Sequence, residues 1–323
     1  MTSLPDARVL VVGLGFIGSH VVAALSRAGI PATILTRSAV GAFGAIGGGA
    51  PGNATLVRGD AADPAVVRQA IEGAGHVVYC AGGLMPAQSN LHPTADIELA
   101  LPPLICLLEA LRQRPGVGIT FLSSGGTVYG DPHRLPVAED HPTDPITSYG
   151  VMKLASEKYI RMYASLYGVA GRILRCSNVY GEGQPPDRGQ GVIAAFLHRA
   201  LTDQPIAIFG DGSVVRDYLY AGDLADLVVR LLRLGNQPEL ANVGSGVGTS
   251  LKQVVGLVEA VTGRTVRVEH KPGRAFDIGE IVLDISRLRR LVSFDPVPLE
   301  AGIRRTWDAI VARQEAASPL GIA

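Results

Sequence analysis

Three glycines set between a strand and a helix constrain this chain more than any other feature. Arg8–Val12 (RVLVV) is a short β-branched apolar run, the mark of a buried parallel strand. Gly13-Leu14-Gly15-Phe16-Ile17-Gly18 follows at once, and Ser19–Ala28 has helical composition up to Gly29. Gly13 permits the tight turn, Gly15 lets the backbone approach a pyrophosphate, and Gly18 lets the helix lie close on the strand. The helix N-terminus offers free N–H groups and positive dipole to phosphates, and Phe16 and Ile17 of the turn before it are read as cofactor-binding with the glycines.

The pattern then repeats. Ala32–Leu35 is a second strand, ending in Thr36-Arg37 where an NAD-binding chain carries an acid for the ribose 2′-hydroxyl. An arginine can pair with a 2′-phosphate, so the cofactor is read as NAD or NADP with a lean to NADP. Gly41–Gly52 is a small-residue loop, Thr55–Arg58 a third strand, and Gly59-Asp60-Ala61 a turn in which Asp60 could accept from an adenine amino group. Pro64–Glu72 reads as a helix. His76–Cys80 is a fourth strand, ending in Ala81-Gly82-Gly83, small enough for close approach of a cofactor. Leu84–Pro93 reads as loop, about Ala95 to Arg112 as a helix kinked or reset by Pro102 and Pro103, and Val117–Leu122 as a fifth strand. Strands alternating with helices give an α/β fold, a doubly wound parallel sheet of the Rossmann kind with ligands at the strands' carboxyl ends.

At one such end lies Ser123-Ser124-Gly125-Gly126-Thr127-Val128-Tyr129-Gly130, whose hydroxyls suit a substrate oxygen or plain turn chemistry. After the proline-rich loop Asp131–Thr147 comes a helix, Ser148–Tyr167. Tyr149 and Lys153 stand four apart and share a face. A neighbouring ammonium favours phenolate, so the pair is expected to lower the tyrosine pKa and to serve as a proton shuttle to a hydroxyl.

Composition removes other classes. Lys+Arg and Asp+Glu are equal at 29 each and aromatics are 5%, which offers nucleic acid neither a basic face nor a stacking platform. Val9–Leu25 is too interrupted by glycine for a membrane span. Cys80, Cys106 and Cys176 show neither metal-ligand nor disulfide spacing; they are expected to be buried apolar residues in a reducing, cytoplasmic setting, with no metal. In the second half, Gly181–Gly191 reads as a loop over the substrate, Val192–Leu201 as helix, and Pro205–Phe209 as strand. Asp223–Leu234 reads as a helix capped by Asp223, Ser250–Thr262 as one capped by Ser250, and Val266–His270 as strand. Ile285–Leu291 and Leu299–Arg313 are terminal helices. Residues 1–177 are expected to form the dinucleotide-binding domain and 178–313 mainly a smaller α/β substrate-binding domain, some segments returning to the first, with 314–323 a frayed tail.

Taken in order, these motifs resemble the extended short-chain dehydrogenase/reductases, in particular the nucleotide-sugar epimerases and dehydratases of the UDP-glucose 4-epimerase kind. Further marks are Leu174-Arg175-Cys176-Ser177-Asn178-Val179-Tyr180-Gly181, Arg216-Asp217-Tyr218-Leu219-Tyr220, Asn242-Val243-Gly244-Ser245-Gly246 and Arg274-Ala275-Phe276-Asp277. The resemblance implies Tyr149 as acid/base, Lys153 on the nicotinamide ribose, Asn178 holding the sugar nucleotide, and Arg216 and Arg274 gripping its diphosphate. It also implies a C4 epimerase working through a 4-keto sugar, and a homodimer through the Tyr149 helix and the long one before it. Two departures stand out. Gly125 occupies the usual place of the active-site hydroxyl, which leaves Ser124, the favoured one, or Thr127 to supply it; Thr36 occupies the place of the usual acid. An NADPH-dependent 4-ketoreductase is the alternative, and a non-catalytic NADP-binding sensor a remote one.

Overall fold

The computed structural model describes residues 8–37, 51–186, 191–235, 239–273 and 278–317. Its elements in chain order are β1 (Arg8–Val12), α1 (Phe16–Arg27), β2 (Ala32–Thr36), β3 (Ala54–Arg58), α2 (Pro64–Ala70), β4 (Ala74–Tyr79), α3 (Pro86–Leu91), α4 (Pro93–Arg112), β5 (Gly118–Ser124), α5 (Ser148–Tyr167), β6 (Gly171–Cys176) and β7 (Asn178–Tyr180). They continue with α6 (Val192–Leu201), β8 (Ile206–Phe209), β9 (Val215–Tyr220), α7 (Ala221–Leu232), β10 (Leu240–Val243), β11 (Gly248–Ser250), α8 (Leu251–Thr262), β12 (Val268–Lys271), β13 (Glu280–Ile281), α9 (Ser286–Arg289) and α10 (Leu299–Ala317).

A seven-stranded sheet runs β10-β6-β5-β4-β1-β2-β3, every pairing parallel. Chain order reverses between β1 and β4, so the carboxyl ends of those strands open the crevice in which such a sheet binds ligands. Val9, Leu10 and Val11 are fully buried, as a strand covered by helices on both faces requires. α1 and α7 pack on one face with Val21, Leu25, Leu227 and Leu231; α2, α4 and α5 pack on the other with Val67, Leu107, Leu111 and Ile160. A smaller assembly carries β9 between β11 and β13, with β7 also on β9, and a separate β8–β12 pair. Its core joins α6, α8 and α10 through Phe196, Leu197, Val258 and Ile303.

Several expected elements differ. The segment 84–93 contains a helix, α3, rather than only loop, with Pro86 in its first turn. α4 runs unbroken through Pro102 and Pro103. Each interior proline costs a helix about 3 kcal/mol, but Leu104, Leu107, Leu108 and Leu111 are buried on the sheet, at about 1.5–3 kcal/mol each. Asp223 is not the cap of α7: the helix begins at Ala221, and Asp223 in its first turn accepts from Val297 N at 2.7 Å. Ser250 does cap α8, in a reciprocal capping box with Gln253. β12 starts two residues later than expected, α9 is only four residues long, and α10 extends through Ala317. β6, β7, β9, β10, β11 and β13 were not foreseen as strands; β6 carries Arg172 and Arg175, buried charges that interrupt an apolar run. The loop expected at 41–52 falls largely outside the described residues, as do parts of the 181–191 loop and of the tail. The cysteines are free, but only Cys176 is fully buried, Cys80 and Cys106 being intermediate. Among the described residues no helix is long and apolar enough to cross a membrane, and no group of three or more His, Cys, Asp or Glu could hold a metal.

Candidate active site

The glycine turn sits at the crevice. Gly13 has φ +95°, and a Cβ there would lie 2.8 Å from Ala81 N; a Cβ on Gly18 would lie 2.0 Å from Gly13 O. Neither position admits a side chain, and together they bring β1, α1 and the end of β4 into contact. Gly15 is the N-cap of α1 without any side-chain cap, and a Cβ on it would meet nothing within 4 Å. The turn is therefore open above its backbone, with first-turn N–H groups of Phe16 and Ile17 directed outward. Thr36 ends β2, buried, and Arg37 beyond it is exposed, its guanidinium 3.7 Å from Asp60. Asp60 accepts from Ala62 N at 2.9 Å, and Ala61 packs on the hydrophobic core. Gly13, Gly15, Phe16, Ile17, Gly18, Thr36, Arg37, Asp60, Ala61, Ala81 and Gly82 thus line the carboxyl ends of β1–β4. An open, glycine-shaped cradle at a free helix N-terminus fits a dinucleotide pyrophosphate.

Across the crevice, Tyr149 and Lys153 share a cleft with Ala81, Gly82, Phe121 and Met152. Lys153 Nζ donates to Leu122 O at 2.9 Å and lies 5.6 Å from the Tyr149 ring centre. A Cβ on Gly82 would come within 3.8 Å of that ammonium. Burial pushes the Tyr149 phenol up to about 12, with Cys176 and Asp96 adding to the rise and a hydrogen bond with Ser124 opposing it. Burial likewise lowers Lys153. The expected net lowering of Tyr149 by Lys153 is therefore absent from the chain alone: loss of water dominates, and the ammonium is bonded to the Leu122 carbonyl.

What places Tyr149 was not read from the sequence. Thr147 caps α5, accepting from Gly150 N at 3.2 Å. α3 adds two further acceptors at that helix end, Asn90 Oδ1 for Ser148 N at 2.9 Å and Ser89 Oγ for Tyr149 N at 3.0 Å. Asp96, fully buried, accepts from Ser148 Oγ at 2.8 Å and from Leu84 N at 2.9 Å. One helix turn beyond Lys153, Glu157 receives Ser123 Oγ at 2.6 Å and Arg175 Nη2 at 2.7 Å, clamping α5 to β5 and β6. Burial works against the Arg175 charge, but Glu157 outweighs it and raises the guanidinium pKa. An acid inside an apolar helical stretch, as Asp96 is, was the available signal.

The structure brings the predicted substrate residues close to this cleft in part. Gly125 cannot carry the usual hydroxyl: its Cβ would lie 2.6 Å from Leu283 Cδ1 and 3.0 Å from Arg175 O. Ser124 reaches the Tyr149 hydroxyl, whereas Thr127 Oγ1 is buried without a partner. Asn178 Oδ1 would stand 3.1 Å from a Cβ on Gly126, so its amide adjoins the serine turn. Asn178 pairs in register with Tyr218, two residues along β9 from Arg216, whose Nη1 donates to Val215 O at 2.8 Å. Asp217, on the opposite face of β9, accepts from Ser245 N, Ser245 Oγ, Gly246 N and Leu283 N at 2.7–3.3 Å and so fixes the 244–246 turn. Arg274 lies outside the described residues.

Comparison with known proteins agrees with this geometry. Residues 9–244 match the NAD dependent epimerase/dehydratase family. A UDP-glucose 4-epimerase of Azospirillum brasilense is 33% identical over 308 residues, covering 90% of this chain and 87% of its own. A dTDP-4-dehydro-6-deoxy-D-allose reductase of a Streptomyces species is 33% identical over 312 residues, covering 92% and 94%. The crystal structure of a Thermus thermophilus UDP-glucose 4-epimerase in complex with NAD superposes with a TM-score of 0.85 at 33% identity, covering 94% of this chain and 99% of that one.

Proposed function

The chain belongs to the NAD dependent epimerase/dehydratase family, and on that premise we propose that it is a nucleotide-sugar 4-epimerase. The observation that carries the reading is that Tyr149 and Lys153 share one cleft with Ala81 and Gly82 beside the glycine cradle, with Ser124 hydrogen-bonded to the Tyr149 hydroxyl from the neighbouring turn. The dinucleotide, when bound, supplies hydride acceptor and donor capacity at its nicotinamide. The chain's own residues handle the proton and the positions. In its phenolate form Tyr149 Oη would take the proton of the sugar 4-hydroxyl as the 4-keto sugar forms, and would return it when the opposite configuration is made. Lys153, on the same helix face, holds the nicotinamide ribose. Its charge opposes the burial that keeps Tyr149 protonated. Ser124 donates to the reacting oxygen, and Thr127 is the second hydroxyl within the turn. Asn178 holds the sugar nucleotide beneath the cofactor, and Arg216 and Arg274 take its diphosphate through planar, bidentate forks.

In this reading residues 1–177 bind the dinucleotide and 178–313 mainly the substrate, with β10 returning to the large sheet. UDP-hexose is the first substrate to test, because the Azospirillum relative is a UDP-glucose 4-epimerase. The enzyme works in the cytoplasm as a homodimer through α4 and α5. Exposed Ile97 on α4 and Val151, Met162 and Leu166 on α5 support that pairing. Incubation with UDP-glucose or UDP-galactose should scramble C4 configuration by NMR without net cofactor loss. Tyr149→Phe should lower turnover by at least about 100-fold with the dinucleotide still bound; full activity in that variant refutes the assignment.

One observation favours a second reading, 4-keto-sugar reduction with NADPH. Arg37 is exposed at the end of β2 where no acid stands, and the Streptomyces relative is a reductase. Stoichiometric NADPH oxidation by a 4-keto-deoxysugar nucleotide, together with tighter NADP than NAD binding, supports it; NAD preference removes it.

A further inference from the structure

Glu182 sits on the loop that leaves β7, four residues after Asn178, and is held at both ends. Its backbone O is 2.9 Å from His20 Nε2, and its Oε1 accepts from the Tyr220 hydroxyl at 2.5 Å. A carbonyl oxygen can only accept, so Nε2 carries the proton. His20 is 9% exposed and lies one turn beyond the glycine cradle on α1, with the Phe16 ring edge-on at 5.4 Å. Burial lowers its pKa, so the ring is neutral at pH 7, with its only N–H spent on Glu182. On the other side, Tyr220 ends β9, the strand of Arg216, and the Arg305 guanidinium of α10 lies 5.5 Å from its ring centre. A chain of polar contacts thus runs from the cofactor-side helix through the loop after β7 to the Arg216 strand and α10.

We propose that His20 is a positioning residue: its Nε2–H holds the Glu182 carbonyl, fixing the segment that carries Asn178 at a set spacing from the dinucleotide helix. This rests on the nucleotide-sugar reading above. His20 touches no reacting atom; it acts by keeping substrate and cofactor contacts in register, where a shift of about 1 Å costs rate or affinity steeply. Nothing in the glycine turn requires a histidine at this place, since the preceding residues already form cradle and helix.

Kinetics of His20→Ala, His20→Gln and Tyr220→Phe with UDP-galactose test it. The Ala variant should raise KM at least fivefold with kcat within about threefold of wild type and bound dinucleotide unchanged. The Gln variant, whose amide can donate to the same carbonyl, should recover KM to within twofold of wild type. His20→Ala combined with Tyr220→Phe should be no worse than the poorer single variant, because one chain is cut twice. A folded Ala variant with wild-type KM, or a Gln variant as impaired as Ala, overturns the proposal. A readout independent of turnover keeps it separate from the substrate assignment. In the full-length protein, 15N NMR should find a slowly exchanging proton on His20 Nε2, and a neutral Nδ1–H tautomer at pH 7 overturns the proposal even if the enzyme acts on another sugar.

Discussion

Gly125 offers the most direct test of why the usual active-site hydroxyl is missing. A methyl group at this position would lie 2.6 and 3.0 Å from the two Cδ atoms of Leu283 and 3.0 Å from Arg175 O. Leu283 is 1% exposed, packed in the same cluster as Leu122, Val137, Ile281 and Ile285, so it cannot swing into solvent. Arg175 O belongs to β6, and Gly125 N is itself tied to the next carbonyl, Cys176 O, at 2.7 Å, so the backbone is no freer. Gly125→Ala is therefore an overpacking change, expected to cost about 1–3 kcal/mol. Leu283→Ala alone should cost about 2–5 kcal/mol through lost burial and the cavity left behind. In the double variant the new methyl occupies part of that cavity and the Cδ clashes vanish. The pair should be less destabilised than the sum of the singles by about 1–2 kcal/mol, the remaining contact with Arg175 O preventing full recovery. Urea unfolding followed by circular dichroism, with m-values compared across the four proteins, measures the coupling. Additivity within about 0.5 kcal/mol, or a Gly125→Ala protein as stable as wild type, would refute the claim that Leu283 fills the hydroxyl's place.

Two further outcomes follow from buried polar groups. Asp217→Ala should destabilise by about 3 kcal/mol or more, since three backbone N–H groups and the Ser245 hydroxyl lose their acceptor; an unfolding midpoint unchanged from wild type contradicts that. His76 is pushed down to about 3 by burial, with Arg172 adding to the effect, and its Nε2 is 2.9 Å from Thr120 Oγ1. The unfolded chain takes up this proton below its ordinary pKa of about 6.5 while the folded chain stays neutral. Stability is then unaffected above that pH and is lost progressively as pH falls from 6.5 towards 3, at up to about 1.4 kcal/mol per pH unit. A His76→Gln protein should lose about 2 kcal/mol less than wild type between pH 6.5 and 5; parallel stability curves would count against it.

The large sheet was legible because its strands obey one rule. β1, β2 and β4 are apolar runs bounded by glycine or turn residues, with α1 between the first two and α2 before the third. β6 was not, because Arg172 and Arg175 sit inside it; their burial is tolerated only through contacts such as Glu157, eighteen residues earlier on α5, which no local window can see. α3 was hidden by its brevity. The short strands β7, β9, β11 and β13 pair with partners far along the chain, and nothing local specifies such a partner. The glycine cradle was legible since backbone geometry there depends on the glycines themselves. The Tyr149–Lys153 alignment was legible from helix period alone, but not the protonation behaviour, which depends on burial that only the packed structure supplies.

That contrast bears on how the candidate site works. Helix period puts Tyr149 and Lys153 on one face, yet it says nothing about which way that face points. Orientation comes from hydrogen-bond partners outside α5: the acceptors Ser89, Asn90 and Asp96 at its first turn, and the donors Arg175 and Ser123 that meet Glu157 one turn beyond Lys153. All of these groups except the exposed Asn90 are buried, so rotating the helix would strand several of them at about 1–3 kcal/mol each. A turn of the face by even one residue position thus costs more than the helix could regain elsewhere. The precision needed to bring a phenol to a single sugar carbon is therefore stored in polar contacts around the helix, whereas its propensity to be a helix supplies only the spacing.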